Sequence, residues 1–258
     1  MSESKTQIAD VLIDRIEIKG RDLVSDLIGH YTYTEMIFFL LRNRFPTPAQ
    51  TRVLDAALVT LMEHGLTPSA LIARLAAHSV PADVQVAMSA GLLTVGSVFA
   101  GTMEDCAKLL KQGIDSGEDA ELYCDRIVLG YRDRKLAVPG FGHPIHKPDD
   151  PRTPRLLSIA RDCGLAGDYV NLLLVLSRAV DRIYQRHITI NATGIIGALL
   201  LEIGFEPSIM RGLAVISRAG GLLAHVQEEQ QTNSVRTLRQ AARKSMPYVS
   251  PVDAPSDN

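Results

Sequence analysis

The chain has 258 residues, 46% of them hydrophobic and 22% charged, which is the composition of a globular protein with one large domain or two modest ones. Its formal net charge of −2 excludes a whole-protein field that would attract nucleic acid or an anionic membrane. An anion site must therefore be a local cluster of Arg and His. Three cysteines without a CxxC pair, Cys106, Cys124 and Cys163, argue against a disulfide framework or a zinc site and indicate a reducing, cytoplasmic compartment.

Two stretches bear on targeting. The N-terminal segment carries charges throughout, so we expect no secretory signal. The longest charge-free stretch lies between Asp83 and Glu104 and contains Gln, Ser, Thr and several Gly. This composition favours a buried helix over a membrane span, and we expect a soluble protein.

Helical periodicity recurs along most of the chain. Thr34 is predicted to cap a helix through EMIFFLLRNR, which FPTP at 45–48 ends, and a second helix follows from about Ala49. Further helices are predicted at 85–111 (one or a pair), 170–186, 195–204 and 207–229. No run alternates β-branched with polar residues, so we predict an all-α fold.

The least helical region is 136–155, with five prolines and two glycines. Within a helical domain such a long irregular loop is more often functional than accidental. The tail at 250–258 is predicted to be disordered.

The first candidate site lies in that loop, in GFGHPIHKPDDPR at 140–152. Gly140 and Gly142 would let backbone amides approach a ligand closely. Four cationic or titratable side chains follow within ten residues: His143, His146, Lys147 and Arg152. An Arg fork beside a His suits a dicarboxylate; a surface loop with scattered charge is the alternative.

Three further features each have a plain structural alternative. Arg218 precedes a small-residue stretch with His225 two helical turns on, and could be an ordinary ion-pair partner. His64 follows a predicted helix and could be a core or capping histidine. A basic cluster could be a solvated helix face: Arg236, Arg239, Arg243 and Lys244.

The histidines lack HExxH spacing, and His143 with His146 would supply only half a metal site, so we expect no metal. The absence of GxSxG, P-loop and GxGxxG motifs argues against common hydrolases, NTPases and dinucleotide-binding proteins.

Taken in order, these segments resemble the citrate synthase family. PGFGHPIHKPDDPR at 139–152 looks like its PGFGH-x-V-Y-K-x-x-DPR segment, and SRAGGLLAH at 217–225 looks like its SR-x-x-G-x-x-AH segment. NATGIIGALLLEIGF, from Asn191, falls on its NVDFYSG segment, and GSVFAGTMED, from Gly96, falls on its G-x-x-HGGANE segment. Residues 20–41 resemble its opening helices, so the likeness covers nearly the whole chain.

The resemblance implies roles for individual residues. Four would grip oxaloacetate or the citryl moiety: His64, His143, Arg152 and Arg218. His143 would also polarise, or exchange a proton with, the oxygen that is carbonyl in one state and hydroxyl in the other. Arg243 lies where the family supplies an arginine across a dimer interface. Coenzyme A (CoA) would be bound by Pro139, Gly140, Phe141, Gly142 and Asn191.

Two departures concern the enolisation of acetyl-CoA. Phe99 stands where the synthases carry a His. In this it resembles the compact citryl-CoA lyase branch, including the citryl-CoA-cleaving module of ATP-citrate lyase, which has a similar Phe at that position. Thr193 stands where both branches carry an Asp. Since Thr does not ionise near neutral pH, it cannot abstract a carbon-bound proton.

Three hypotheses follow. In the first, a citryl-CoA lyase cleaves citryl-CoA or a related 3-hydroxy-3-carboxyacyl-CoA, with His143 as base at the tertiary hydroxyl and a water held by Thr193 or a nearby His protonating the enolate. The second is a citrate synthase or methylcitrate synthase. The third is a catalytically silent protein that binds CoA or a tricarboxylate.

The resemblance also implies the architecture. We expect a large helical domain of 1–103 and 201–258, and a smaller domain of 104–200 that closes over CoA. Because Arg243 would act from a neighbouring chain, a homodimer or higher homo-oligomer is expected. The CoA thioester would be substrate or product, with no permanently bound cofactor and no nucleic-acid or membrane partner.

Overall fold

The computed structural model describes residues 4–97 and 100–250. Phe99 and residues 251–258 of the predicted disordered tail therefore lie outside the described residues. The predicted all-α class is confirmed, since 64% of the described residues are helical. In chain order the α-helices are α1 Tyr33–Arg42, α2 Pro48–Met62, α3 Pro68–Ser79, α4 Val84–Leu92, α5 Gly101–Ser116, α6 Ala120–Asp133, α7 Arg152–Asp162, α8 Asp168–Tyr184, α9 Ala192–Glu202, α10 Pro207–Thr232 and α11 Val235–Ser245.

Contacts divide the chain into two compact units. The first unit comprises 1–60 with 97–213, and the second unit comprises 61–96 with 214–258. The domain boundaries expected from the sequence, at 103/104 and 200/201, fall within α5 and α9. That expected division rests on closure over CoA and stays a prediction.

A small antiparallel sheet in the first unit was not predicted. Its strands are β1 Ala9–Val11, β2 Ile16–Ile18 and β3 Arg21–Asp22, with Ala9 opposite Ile18 and Glu17 opposite Asp22. Strands of two or three residues are too short to produce a detectable alternation in the sequence. A π-helical turn at Leu23–Leu27 follows the sheet.

The start of α1 corrects a predicted cap. Thr32, not Thr34, is the N-cap, because its side chain accepts from the Glu35 amide while the Glu35 carboxylate accepts from the Thr32 amide. Thr34 is instead buried, and its hydroxyl donates to Asp55 at 2.9 Å. A second difference concerns α7, which begins at Arg152, within the stretch predicted to be irregular.

The core of the first unit is built by α5, α6, α8 and α9. Helix α9 is buried along most of its length. A Cβ on Gly197 would lie 2.8 Å from the Met103 carbonyl oxygen, so this close contact between α9 and α5 requires glycine. Thr193, in the first turn of α9, stays partly exposed.

The core of the second unit combines small side chains on α3 and α4 with two larger ones on α10. The buried cluster is Ala70, Ala73, Ala77, Ala87, Leu222 and Val226. A Cβ on Gly91 would lie 2.8 Å from the Leu222 methyl carbon and the Ser69 carbonyl oxygen. Small residues at these positions let the helix backbones approach closely.

One described helix, α10, is long and apolar enough to cross a membrane by length and composition, and half of its apolar window is buried within the structure. A core helix of a globular protein passes the same test, so this is weak evidence for a membrane span. The predicted compartment stays a prediction.

Candidate functional site

The predicted CoA-binding loop is fixed in the first unit by backbone geometry. Gly140 and Gly142 have φ values of 86° and 78°, a region that disfavours side chains. A Cβ on Gly194, in the first turn of α9, would lie 2.4 Å from the Gly140 carbonyl oxygen. The Gly142 amide donates to the Thr189 carbonyl at 2.8 Å, and Phe141 pairs with Ile190. These contacts hold residues 140–142 against the start of α9.

Asn191 joins that loop to α9. Its Nδ2 donates to the Gly142 carbonyl at 2.9 Å, and its Oδ1 caps the helix by accepting from the Gly194 amide at 3.1 Å. Both ends of the side-chain amide are thus engaged within the chain. Asn191 positions the loop, and direct contact with CoA stays a prediction.

The same network fixes the hydroxyl of Thr193. Because Asn191 Oδ1 can only accept, Thr193 Oγ1 must donate to it across 2.7 Å. Thr193 Oγ1 also lies 3.0 Å from Thr102 Oγ1. Since its own proton is committed to Asn191, Thr193 accepts from Thr102. The Thr193 hydroxyl therefore offers a lone pair in this arrangement, and it is neither an ionised base nor a free proton donor.

His143 has an equally defined proton position. Its Nδ1 accepts from the amides of Ile145 and His146 at 3.1 and 3.0 Å. We therefore assign the proton of the neutral ring to Nε2. The His143 and His146 rings stack with centroids 4.3 Å apart. Of the two roles expected for His143, polarising an oxygen through Nε2–H fits this tautomer. The expected absence of a metal stays a prediction.

Arg152 is tied to a buried aspartate. Its Nε and Nη2 donate to the two carboxylate oxygens of Asp150 at 2.9 and 2.7 Å, and Asp150 is 0% exposed. Asp150 also accepts from the Ala192 amide at 3.1 Å. Burial raises the pKa of Asp150, but its hydrogen bonds with Arg152 outweigh that effect, and the net pKa lies below the usual value. Arg152 Nη1 donates to none of the described residues, and its expected contact with a substrate carboxylate stays a prediction.

The second unit holds the other predicted carboxylate ligands. Arg218, on α10, is buried, and its Nη1 lies 3.7 Å from Glu63 Oε2. Glu63 Oε1 accepts from the His64 amide at 2.8 Å. A single carboxylate thus contacts both the His64 backbone and the guanidinium of Arg218.

Two predicted site residues are not joined to these groups. Arg243 lies on the exposed face of α11 and forms no ion pair with residues 4–97 or 100–250. Its expected action across a dimer interface stays a prediction. Phe99 lies outside the described residues.

Several residues of these networks were not predicted. Asp150 lies within the DPR part of a quoted motif, and Glu63 directly precedes His64, so sequence position could have suggested both. Thr102 lies three residues after Phe99, in the segment quoted for the missing His. No local signal marks Arg74, a buried cation on α3.

Comparison with known proteins adds the evolutionary context. Residues 11–241 match the family described as citrate synthase, C-terminal domain. The citryl-CoA lyase of Hydrogenobacter thermophilus is 30% identical with a TM-score of 0.86, and the alignment covers 99% of this chain and 96% of that one. The ATP citrate lyase of Methanosaeta concilii, solved with (3S)-citryl-CoA, is 21% identical with a TM-score of 0.78, covering 97% of this chain and 42% of that one. At that identity the likeness concerns the fold alone.

Among curated relatives, the citrate synthase of Deinococcus radiodurans is 26% identical over 225 residues, which are 86% of this chain and 58% of that protein. The chain spans about half the length of the curated relatives it matches. The family match over most of the chain establishes its membership. The chain belongs to the citrate synthase family, and its fold is citrate synthase-like.

Proposed function

We propose that this protein is a citryl-CoA lyase that cleaves citryl-CoA, or a related 3-hydroxy-3-carboxyacyl-CoA, to acetyl-CoA and oxaloacetate. The observation that carries the proposal is the bond from Thr193 Oγ1 to Asn191 Oδ1. Condensation needs a base that removes a proton from the acetyl methyl group, and a neutral hydroxyl with a committed proton cannot do so. Cleavage instead needs the enolate to be protonated, which is the easier direction.

The reaction is a retro-aldol cleavage. The tertiary hydroxyl loses its proton, its oxygen becomes the oxaloacetate carbonyl, and the electron pair of the broken carbon–carbon bond remains on the acetyl carbon. That enolate takes one proton from a water whose other hydrogen is donated to a lone pair of Thr102 or Thr193. The hydroxide that remains takes up the proton released by the tertiary hydroxyl, so the protons balance. No cofactor enters the balance, and the CoA thioester is the substrate.

We assign His143 to the oxygen that changes from hydroxyl to carbonyl. With its proton on Nε2, the ring donates to the developing carbonyl and stabilises it. To accept the hydroxyl proton on Nε2, the ring must carry its proton on Nδ1 instead, and must release the Ile145 and His146 amides. Each such bond contributes about 0.5–1.5 kcal/mol, so this rearrangement is part of the barrier.

Similarity to a solved lyase also supports the proposal. The Hydrogenobacter thermophilus citryl-CoA lyase is 30% identical with a TM-score of 0.86 over 99% of this chain. Condensation by a citrate or methylcitrate synthase is the second candidate, favoured by the names of the curated relatives. A silent binding protein is the third, favoured by Thr193 itself.

The test is cleavage of citryl-CoA by the purified full chain, with oxaloacetate detected by a coupled dehydrogenase. We expect turnover, and we expect Thr193→Val to lower it by about 10-fold or more. Thr60→Val is the matched control, since Thr60 is also half-buried but donates only to the Ala56 carbonyl. It should retain turnover.

Two other outcomes separate the alternatives. Rapid solvent deuterium exchange into the acetyl-CoA methyl group, without cleavage of citryl-CoA, would favour the synthase. Thermal stabilisation by citrate and CoA, without oxaloacetate release above the buffer rate, would favour the silent binding protein. Either result would overturn the lyase proposal.

A further inference from the structure

A buried guanidinium in the second unit connects three helices. Arg74, on α3, is 4% exposed. Its Nη1 donates to Ser234, the N-cap of α11, at 3.1 Å and to Glu229 at 3.4 Å, and its Nη2 pairs with Glu228. Its Nε donates to His225 Nδ1, on α10, at 2.9 Å. Arg74 is therefore held rigidly while it hydrogen-bonds the imidazole.

That bond fixes the tautomer of His225. A guanidinium N–H can only donate, so Nδ1 of His225 must present its lone pair and the ring must be neutral with its proton on Nε2. His225 Nε2 lies 3.1 Å from Glu63 Oε1. The imidazole therefore donates to Glu63, and the bond from Arg74 fixes the orientation of the ring that makes this contact.

Glu63 is held as a carboxylate at the end of this relay. Its Oε1 also accepts from the amides of His64 and Gly65 at 2.8 and 2.6 Å. Burial raises the pKa of Glu63, but the hydrogen bonds from His225 and the two amides outweigh it, and the net pKa lies below the usual value. A Cβ on Gly221 would clash with the backbone carbonyl oxygen of Met62, so glycine is required where α10 approaches Glu63.

The second oxygen of Glu63 faces Arg218, which is 8% exposed. Burial lowers the pKa of Arg218, and the charge of Glu63 opposes that shift. The 3.7 Å separation is too long for a hydrogen bond, and Arg218 Nη1 has no hydrogen-bond partner within the described part of the chain. Glu63 thus balances the buried charge without using the Nη1 donors, which a ligand would satisfy.

We propose that Arg74 and His225 are positioning residues for Arg218, acting through Glu63 to hold its guanidinium ready for a ligand carboxylate. The inference rests on the proposed function for one point only, which is that the ligand carboxylate belongs to an oxo acid such as oxaloacetate. His225 acts through Glu63 and has no assigned contact with the reacting atoms.

The first experiment needs no ligand. Nitrogen chemical shifts of the 15N-labelled histidines in the full chain would give the tautomer of His225, with its signals assigned by their loss in His225→Gln. We expect the Nε2–H tautomer. An imidazolium, or a ring protonated on Nδ1, would overturn the relay whatever the protein catalyses.

The second experiment measures oxaloacetate binding by titration calorimetry. His225→Leu should weaken binding about 10-fold, whereas His225→Gln should stay within about 3-fold, because a glutamine can accept from Arg74 and donate to Glu63. His78→Gln is the matched control, since His78 is an exposed histidine on α3. In a citryl-CoA assay, His225→Leu should raise KM with little change in kcat.

A double-mutant cycle tests the route. If His225 acts through Glu63, adding His225→Leu to Glu63→Gln should change binding less than 2-fold. An equal loss in both backgrounds would overturn the inference, as would wild-type affinity in a folded His225→Leu. If the protein binds oxaloacetate but does not cleave citryl-CoA, only the lyase proposal is overturned. If His225→Leu does not fold, the tautomer measurement decides the inference.

Discussion

In the first unit Asn191 and Thr193 are held by neutral hydrogen bonds, whereas in the second unit the buried Arg218 lies beside the exposed carboxylate of Glu63. The neutral network joins segments that are each only a few residues long, 140–142 and 189–194. Each neutral bond contributes about 1 kcal/mol, and none of these groups titrates near neutral pH. The charged network should be costlier to break wherever the charge left unpaired is buried, as it is for Arg74, Arg218 and Glu229.

The largest expected effect lies in the charged network. Arg74→Met would leave Glu229 and Ser234 without their cation, and we expect the free energy of unfolding to fall by about 3–5 kcal/mol. For a chain of this size that is a drop in Tm of roughly 6–20 °C. Arg126→Met is the matched control, because Arg126 pairs with Glu118 on the surface and should cost at most about 1 kcal/mol.

Thermal or urea unfolding measures both variants. If Arg74→Met costs no more than the surface control, the buried charges of the second unit are not what stabilises it. The charged network of the second unit would then be no costlier to break than a surface ion pair.

This contrast also explains what the sequence could predict. Gly140 and Gly142 were singled out because glycines in an irregular loop allow close backbone approach, and Asn191 was named only through the family resemblance. The structure adds positive φ values at the glycines and a helix cap at Asn191. Most helices followed from their periodicity. The Thr34 cap was wrong by two residues, because a capping box at Thr32 and Glu35 satisfies the helix start better.

Arg74 illustrates what sequence reasoning missed. In the sequence of α3 nothing distinguishes Arg74 from an ordinary helix residue. Its partner His225 lies 151 residues further along the chain. Only the packing of α3 against α10 and α11 buries the guanidinium and selects its acceptors. Asp150 was missed for a related reason, since its role depends on its burial beside Arg152 and the Ala192 amide.

Asp150 is a charged group in the first unit, and its substitution is expected to have an effect of intermediate size on stability. Asp150→Asn should cost about 2–3 kcal/mol at neutral pH, less than a fully buried pair because Arg152 is partly exposed. The folded-state pKa is lowered, so this stability is present above the unfolded value of about 4 and is lost as the pH falls through the folded value.

Urea unfolding of both proteins between pH 3 and 7 checks this prediction. The gap between wild type and Asp150→Asn should narrow toward acid, while Asp133→Asn, at an exposed site, should give no such gap. A gap that widens toward acid would contradict the assignment of Asp150 as the ionised partner of Arg152.

The smallest expected effect concerns an exposed charged contact of the same unit. His187 lies between Asp181, at 2.7 Å from its Nδ1, and Asp149, at 2.9 Å from its Nε2, and its side chain is 46% exposed. The hydrogen bonds with Asp181 and Asp149 raise the pKa of His187 above its usual value. Its stabilisation is therefore fully present below the unfolded value of about 6.5 and is lost as the pH rises through the folded value.

Because solvent screens the contact, His187→Gln should cost at most about 0.5 kcal/mol at low pH and less at high pH. Urea unfolding between pH 5.5 and 8.5, with the exposed His30→Gln as control, measures it, and a cost that grows with pH would reverse the assigned sign.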